Sequence, residues 1–227
     1  MRRCSGEISI MNAASFIRRC SQLFAAILSS LLIGNHGYEA FSQEVPVAKP
    51  MMVSEAKLPK DFPAPGLVGE VIIKTYPAHR LARVKAENEN DNGMFMKLFR
   101  HIERNKISMT APVEMEWSAD ESAKVAGDPK SMAFLYGSAE IGSTGEDPKD
   151  PLVVVEDVAA MKVVSIGLRG GYGREVLDRG LKQLQTWLAA NPQWQSAGPP
   201  RTLGYNSPFV PNLFKYSEVQ IPIAPVP

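Results

Sequence analysis

The pattern of apolar and polar positions divides the chain from about residue 67 onward into two units of similar order. In the first unit, segments 68–76 and 79–85 alternate as strands do, around a turn at Pro77. Segment 94–104 carries apolar residues at 94, 95, 98, 99 and 102, the spacing of an amphipathic helix, after N-cap candidates at 90–92. Two further strands are predicted at 106–117 and 131–136.

The second unit repeats this order with different residues. Its helix is predicted at 174–190, because apolar residues recur there at helical spacing and Pro192 follows the end. Strands are predicted at 152–156, 161–169, 202–205 and 216–223. Two β-β-α-β-β-like units predict an α+β domain with a curved or barrel-like antiparallel sheet and one packed helix per half. A groove between helix and sheet is a usual place for a small apolar ligand.

The segment KISMTAPVEMEW, residues 106–117, has an apolar residue at every odd position, which predicts a half-buried strand. Pro112 cannot donate a ladder hydrogen bond, so an edge or a bulge is expected there. Met109 and Met115 on the apolar face suit either ordinary core or an adaptable ligand pocket, as do Met94 and Met96. Glu114 and Glu116 are interpreted as a solvated face, with an acid/base pair as the alternative.

The N-terminal part has the layout of a secretory signal peptide, predicted at 1–42 with Met11 as a possible true start. Arg18 and Arg19 precede an apolar run at 23–33, and small residues at 40 and 42 form a cleavage site. An uncleaved anchor is the alternative, and it would be the only membrane contact. Five prolines in 43–66 predict an extended linker before a folded domain at 67–223. The protein is therefore expected to be exported, to the periplasm or the extracellular space.

Composition excludes several classes of function. Cys4 and Cys20 are the only cysteines, so a chain cleaved after 42 has no disulfide and no thiolate site. From Gln43 onward, 21 Lys and Arg residues stand against 22 Asp and Glu residues, a balance that does not favour a nucleic-acid partner. The oligomeric state stays open.

Candidate catalytic and metal-binding residues are few. No zinc-type histidine pair, nucleophile elbow or phosphate loop is present, so no enzyme activity is predicted and a hydrolase is the least supported option. His36 lies in the leader, and His79 and His101 are candidate iron ligands. The alternative for each is a surface residue, at a strand start and on the helix respectively. Arg169–Gly173 reads as a strand-to-helix turn, with an anion site as the alternative.

Several segments resemble the signatures of the SOUL heme-binding proteins. They are NKISMTAPV at 105–113, LGYNSPF at 203–209 followed by Ser217-Glu218-Val219, Gly170-Gly171-Tyr172, and 74–78 at the end of the first strand. The resemblance extends over about 67–223. It implies a distorted antiparallel β-barrel built from a duplicated β-α-β-β unit with two packed helices.

The resemblance also implies non-covalent, non-enzymatic binding of heme or a related tetrapyrrole in a shallow apolar pocket beside the first helix. Where some members have a proposed axial histidine, this chain has Thr75. The corresponding helix positions suggest that Phe95, Leu98 and Phe99 cover the disc, with Arg100 pairing with a propionate. Lys97 is a candidate second cation, with a solvated lysine as the alternative. A general carrier or sensor of small hydrophobic ligands on the same scaffold is the alternative.

Overall fold

The computed structural model describes residues 56–86, 91–119, 126–207 and 209–227. In these residues two α-helices and a short 3₁₀ helix (Asn212–Phe214) accompany a ten-stranded sheet whose ladders are antiparallel. The elements are β1 Val71–Tyr76, β2 His79–Lys85, α1 Asp91–Arg104, β3 Val113–Ala119, β4 Ala126–Leu135, β5 Gly145–Asp147, β6 Asp150–Val158, β7 Met161–Arg169, α2 Arg174–Ala190, β8 Trp194–Ser196, β9 Arg201–Gly204 and β10 Tyr216–Pro225.

The two predicted units are present, and the first strand of each unit pairs with the second strand of the other unit. The strand order is β1-β7-β10-β9-β3-β4-β2-β6-β5, with β8 beside β10, so β1 pairs with β7 and β6 pairs with β2. The halves also meet where β3 pairs with β9. The β1–β7 ladder and the β2–β6 ladder keep the same register. Tyr76 pairs with Met161, and three residues further along both strands His79 pairs with Val158. This exchange joins the halves into one domain.

The predicted α+β class and distorted antiparallel sheet are confirmed. Among the described strands the sheet ends at β1 on one side and β5 on the other, so it is an open, curled sheet and not a closed barrel. Within the described residues, no helix has the length and apolar character needed to span a bilayer. The predicted leader, residues 1–42, lies outside the described residues, as does Asn90.

Both helices pack on the same face of the sheet. Met94, Leu98 and Ile102 from α1, and Leu177, Leu181 and Leu184 from α2, are buried in one apolar cluster with the inner residues of the strands. Burying side chains of this size stabilises by about 1.5–3 kcal/mol each. The large apolar residues therefore determine which face of each helix meets the sheet.

The opposite face of the sheet holds buried polar groups. Lys74 lies 2.5 Å from Glu218, and Tyr205 donates a hydrogen bond to the same carboxylate at 3.1 Å. Neither Lys74 nor Glu218 is more than 5% exposed. Removing one partner of such a pair leaves an uncompensated buried charge, which is strongly destabilising.

The KISMTAPVEMEW segment differs from its prediction because its first part ends a helix. Lys106 has φ 53°, and the Ile107 N–H donates to the Ile102 carbonyl, which closes α1. The strand begins only at Val113 and lies between β4 and β9. The expectation of an edge or bulge at Pro112 is wrong, since Pro112 precedes the strand and removes no ladder bond.

Glu114 corrects a second expectation. It is 3% exposed, and it accepts hydrogen bonds from Arg201 Nη1 at 2.7 Å and Arg83 Nη2 at 3.2 Å. Both faces of β3 are covered by other parts of the protein. The alternation of apolar and polar residues in β3 therefore shows which side chains face the helices, and it does not show which side chains face water. Glu116, which keeps more exposure, pairs with Lys130 at 3.1 Å.

Residues 56–66 were predicted to be linker, but they pack on the domain. Leu58 and Phe62 contact the cluster that contains Tyr76 and Tyr216. The Gly66 N–H donates a hydrogen bond to the Glu218 carboxylate at 2.6 Å, and the backbone of Lys57 forms an isolated parallel β-bridge with Thr110. The folded domain therefore begins before Leu67, because apolar residues between the prolines bury against the polar face of the sheet.

Candidate functional site

A small apolar recess lies between α1, the centre of the sheet and the turn before α2. Its volume is about 80 Å³. It is lined by Phe95, Val113, Met115, Met132, Tyr172, Thr202, Gly204 and Asn206. The lining comes from both halves of the fold, at the place where β3 pairs with β9.

Phe95 of α1 lines the recess, and Phe99, one helical turn further along, lies beside it and outside the lining. The rings of Phe95 and Phe99 are nearly parallel, with centroids 6.3 Å apart and 10° between planes. Phe95 also meets Phe134 edge to face at 5.1 Å, which fixes it against the core. Phe99 is 36% exposed, so the aromatic surface continues from the recess into solvent.

Tyr172 forms the opposite wall and is held firmly. Its hydroxyl donates to the Asn206 carbonyl at 2.8 Å and accepts the Asn206 N–H at 2.7 Å. A side chain at Gly204 would come within 3.1 Å of the Tyr172 ring, so glycine lets the ring lie against β9. Lys215 Nζ stands 5.2 Å from the centre of this ring, which places a cation beside Tyr172.

The other predicted residues of α1 occupy different positions. Leu98 is completely buried beneath the helix and belongs to the core. Arg100 is exposed on the helix, next to Phe99. Lys97 lies 3.7 Å from Asp150 in an ion pair and is only partly exposed, which differs from a freely solvated side chain.

His101 is buried and not a surface residue, and both of its ring nitrogens have partners. Nδ1 is hydrogen-bonded to the Asp147 carboxylate, and Nε2 lies 2.7 Å from the Tyr136 hydroxyl. Arg104 adds an ion pair to Asp147 at 2.9 Å. Burial, the largest influence, opposes ionisation of Asp147, but the hydrogen bonds from His101, the Lys149 amide and Arg104 lower its pKa overall. This cluster attaches α1 to the end of β5 and leaves no nitrogen of His101 for a metal.

His79 is also buried rather than at the surface. Its Nδ1 lies 2.8 Å from the Pro77 carbonyl, and its ring packs edge-on against Phe62 at 5.0 Å. Nε2 has no protein partner in the described residues, but the ring does not line the recess. Thr75 lies exposed on β1. None of these positions brings a nitrogen ligand to the wall formed by Phe95 and Tyr172.

The recess suits the edge or part of a flat apolar molecule. Pockets that enclose a drug-sized ligand usually have about 300–1,000 Å³, so a larger disc would lie across the aromatic wall instead of entering completely. Across the described residues, no group of three or more His, Cys, Asp or Glu side chains could hold a metal ion. The recess therefore offers an apolar, partly aromatic surface to a flat molecule.

A family model described as SOUL heme-binding protein matches residues 69–222, about two thirds of the chain. The chain belongs to the SOUL heme-binding protein family. This confirms the family predicted from the motifs at 105–113 and 203–209. A search of curated protein sequences returned no significant match.

Solved structures share the fold of this SOUL family member at low sequence identity. The C-terminal domain of EcmrR has a TM-score of 0.52 at 12% identity, over 69% of this chain and 98% of that one. EcmrR in a DNA complex gives 0.52 at 13% identity, over 69% and 58%. An uncharacterized conserved protein from Listeria innocua gives 0.50 at 11% identity, over 69% and 93%. At these identities the likeness concerns the fold alone.

Residues on one side of the recess could be predicted from the sequence, and those on the other side could not. Helical spacing pointed to Phe95 and Phe99, and Met115 was recognised as either core or pocket. Tyr172 carried a signal in the Gly170-Gly171-Tyr172 motif, but no local pattern places it against β9. Lys215 and Met132 carried no signal, since only the long-range pairing of strands brings them near.

Proposed function

We propose that this protein binds heme or a related tetrapyrrole non-covalently, in the apolar recess beside α1 and without catalysing a reaction. The observation that carries this proposal is the parallel Phe95–Phe99 pair in a chain of a heme-binding family, with Phe95 lining an apolar recess and Phe99 exposed beside it. A tetrapyrrole is a flat apolar disc, and stacked aromatic side chains match its face. In this proposal Arg100, which is exposed on α1, and Lys215, which lies against the Tyr172 ring, pair with the propionates.

This binding mode needs no axial histidine. His101 uses both ring nitrogens internally, and the buried His79 lies away from the lining. The affinity then comes from apolar contact and from pairing of the propionates with basic side chains. We therefore expect the bound iron to keep a spectrum without a histidine-ligated signature.

A hemin titration of the full chain, followed in the Soret region, tests the proposal. We expect a shifted band that saturates, and a dissociation constant weakened about tenfold or more by Phe99→Ser, because a phenylalanine contact of about 1.5–3 kcal/mol is lost. Ile141→Ser is the matched control, since Ile141 is 38% exposed, close to the 36% of Phe99, but belongs to the loop between β4 and β5 and not to α1. It should leave the titration unchanged.

Two outcomes would contradict this account. The first is a hemin spectrum that the protein does not alter, and the second is equal binding by Phe99→Ser and the unsubstituted chain. Competition separates heme binding from general carriage of hydrophobic ligands. If the site is specific for a disc with two carboxylates, unrelated apolar dyes should displace hemin poorly. If the protein is a general carrier or sensor, these dyes should displace hemin as well as a porphyrin does.

A further inference from the structure

A second, larger cleft opens on the face of the sheet away from the helices. Its volume is about 540 Å³, within the range that encloses small organic molecules. Neighbouring residues of β3 show that the two cavities lie on opposite faces, because Met115 lines the recess while Glu114 and Glu116 line the cleft. The turn between β6 and β7, the segment 197–199 and the end of β10 form its rim.

The lining of the cleft contains apolar residues and a charged cluster. Val158, Met161, Pro199 and Pro222 are apolar, and Arg83 and Arg201 are linked to the two glutamates by ion pairs. Lys162 adds an exposed cation to the lining. A molecule with an apolar body and a polar group at one end would match this division.

Arg201 has an unused donor at this site. The residue is 6% exposed, with Nε donating to Gln220 Oε1 at 3.0 Å and Nη1 donating to Glu114 Oε2 at 2.7 Å. Its face lies 5.0 Å from the centre of the Tyr76 ring. Nη2 is buried and has no acceptor among the described residues. Leaving a buried charged donor unpaired is unfavourable, so an external oxygen at Nη2 would be stabilising.

The glutamates in the cleft do not cancel this preference for an anion, because basic side chains already hold them. Glu114 takes Arg201 and Arg83, and Glu116 takes Lys130 and, at 3.6 Å, Arg83. Burial is the largest influence on Glu114 and opposes its ionisation, yet the two arginines lower its pKa overall. Both carboxylates are therefore already paired with basic side chains, while Arg201 Nη2 lacks an acceptor among the described residues.

We propose that this cleft is a second ligand site, which binds a small organic carboxylate through Arg201. The carboxylate accepts hydrogen bonds from Nη2, and the apolar body packs against Val158, Met161 and Pro222. Charge-assisted hydrogen bonds of this kind are about twice as strong as neutral ones, which favours a carboxylate over an amide or alcohol. The site is independent of the recess beside α1, because the sheet separates them.

Amide NMR of the full chain, titrated with octanoate, benzoate and 2-naphthoate, tests this proposal. We expect saturable shifts at 158–162 and at residues 197, 198 and 201 with at least one of these acids, and binding about tenfold or more weaker for the matching primary amide. Ala160→Trp should abolish these shifts, because Ala160 is an exposed residue of the lining whose enlargement fills the cleft. Ala139→Trp, at an exposed position outside the cleft, should preserve them.

The result that overturns the proposal is the absence of saturable shifts with all three acids, which would leave ordered water as the partner of Nη2. Equal binding of acids and amides would also overturn it, since Arg201 would then not select charge. Shifts that survive Ala160→Trp would place the acids elsewhere. The hemin titration of Ala160→Trp should match the unsubstituted chain, so failure of this site and failure of the heme site remain distinguishable.

Discussion

At the residue scale, His79 shows how burial decides the charge of a side chain. The ring is 5% exposed and packs against Phe62, and the effect of this burial is the largest influence lowering its pKa. The Pro77 carbonyl and Glu114 oppose that shift, while Arg201 and Arg83 reinforce it. The folded protein therefore favours the neutral ring, whereas the unfolded chain takes up a proton near pH 6.5.

Stability should consequently fall as pH decreases below the value at which the unfolded His79 protonates. A group with a lowered folded pKa contributes stability above its unfolded pKa, and this is lost as pH falls. We expect His79→Gln, which cannot titrate, to remove up to about 1.4 kcal/mol per pH unit from the slope of unfolding free energy between about pH 6.5 and 5. Urea denaturation at several pH values measures this slope, and identical slopes for both proteins would contradict the account.

At the element scale, α2 approaches β10 closely at Gly180. A Cβ at this position would lie 2.5 Å from the Cβ of Val219, a buried β-branched residue in the central part of the sheet. Such a residue cannot move aside easily. Glycine is unfavourable within a helix, so its presence in α2 is explained by the packing distance between helix and sheet.

Gly180→Ala should therefore destabilise the fold, although alanine is the better helix former by about 1 kcal/mol. Overpacking of this kind usually opposes folding by about 1–3 kcal/mol, which exceeds the gain in helix propensity at the upper end. Gly173→Ala is the control, since a methyl group there would meet nothing within 4 Å and the φ of Gly173 is −85°. Thermal unfolding should give a lower midpoint for Gly180→Ala than for Gly173→Ala, and the reverse order would refute the packing argument.

The elements also show which parts of the fold were predictable. Both helices and the strands at 79–85 and 161–169 carry clear periods, and the structure places them there. β5 and β8 have three residues each, too few to show a period, and were missed. The start of β3 was predicted seven residues early, because the closing turn of α1 continues the alternation of apolar residues by coincidence.

At the scale of the whole molecule, the pairing of β1 and β6 with strands of the opposite unit could not be predicted from local sequence patterns. Element order predicted two similar units, but pairing depends on contacts between residues far apart in sequence. The same limit applies to the recess, where Phe95, Tyr172 and Gly204 come from three separate segments. Motif resemblance identified the family correctly, while the geometry of the site required the assembled sheet.

An amide NMR titration with diamagnetic zinc protoporphyrin IX tests the proposed binding of a tetrapyrrole across the recess beside α1. We expect saturable shifts at Phe95, Val113 and Gly204, with the turn at 158–162 unaffected. These residues border the recess, whereas that turn borders the cleft on the other face of the sheet. Shifts confined to the cleft, or no saturable shifts at all, would contradict the account.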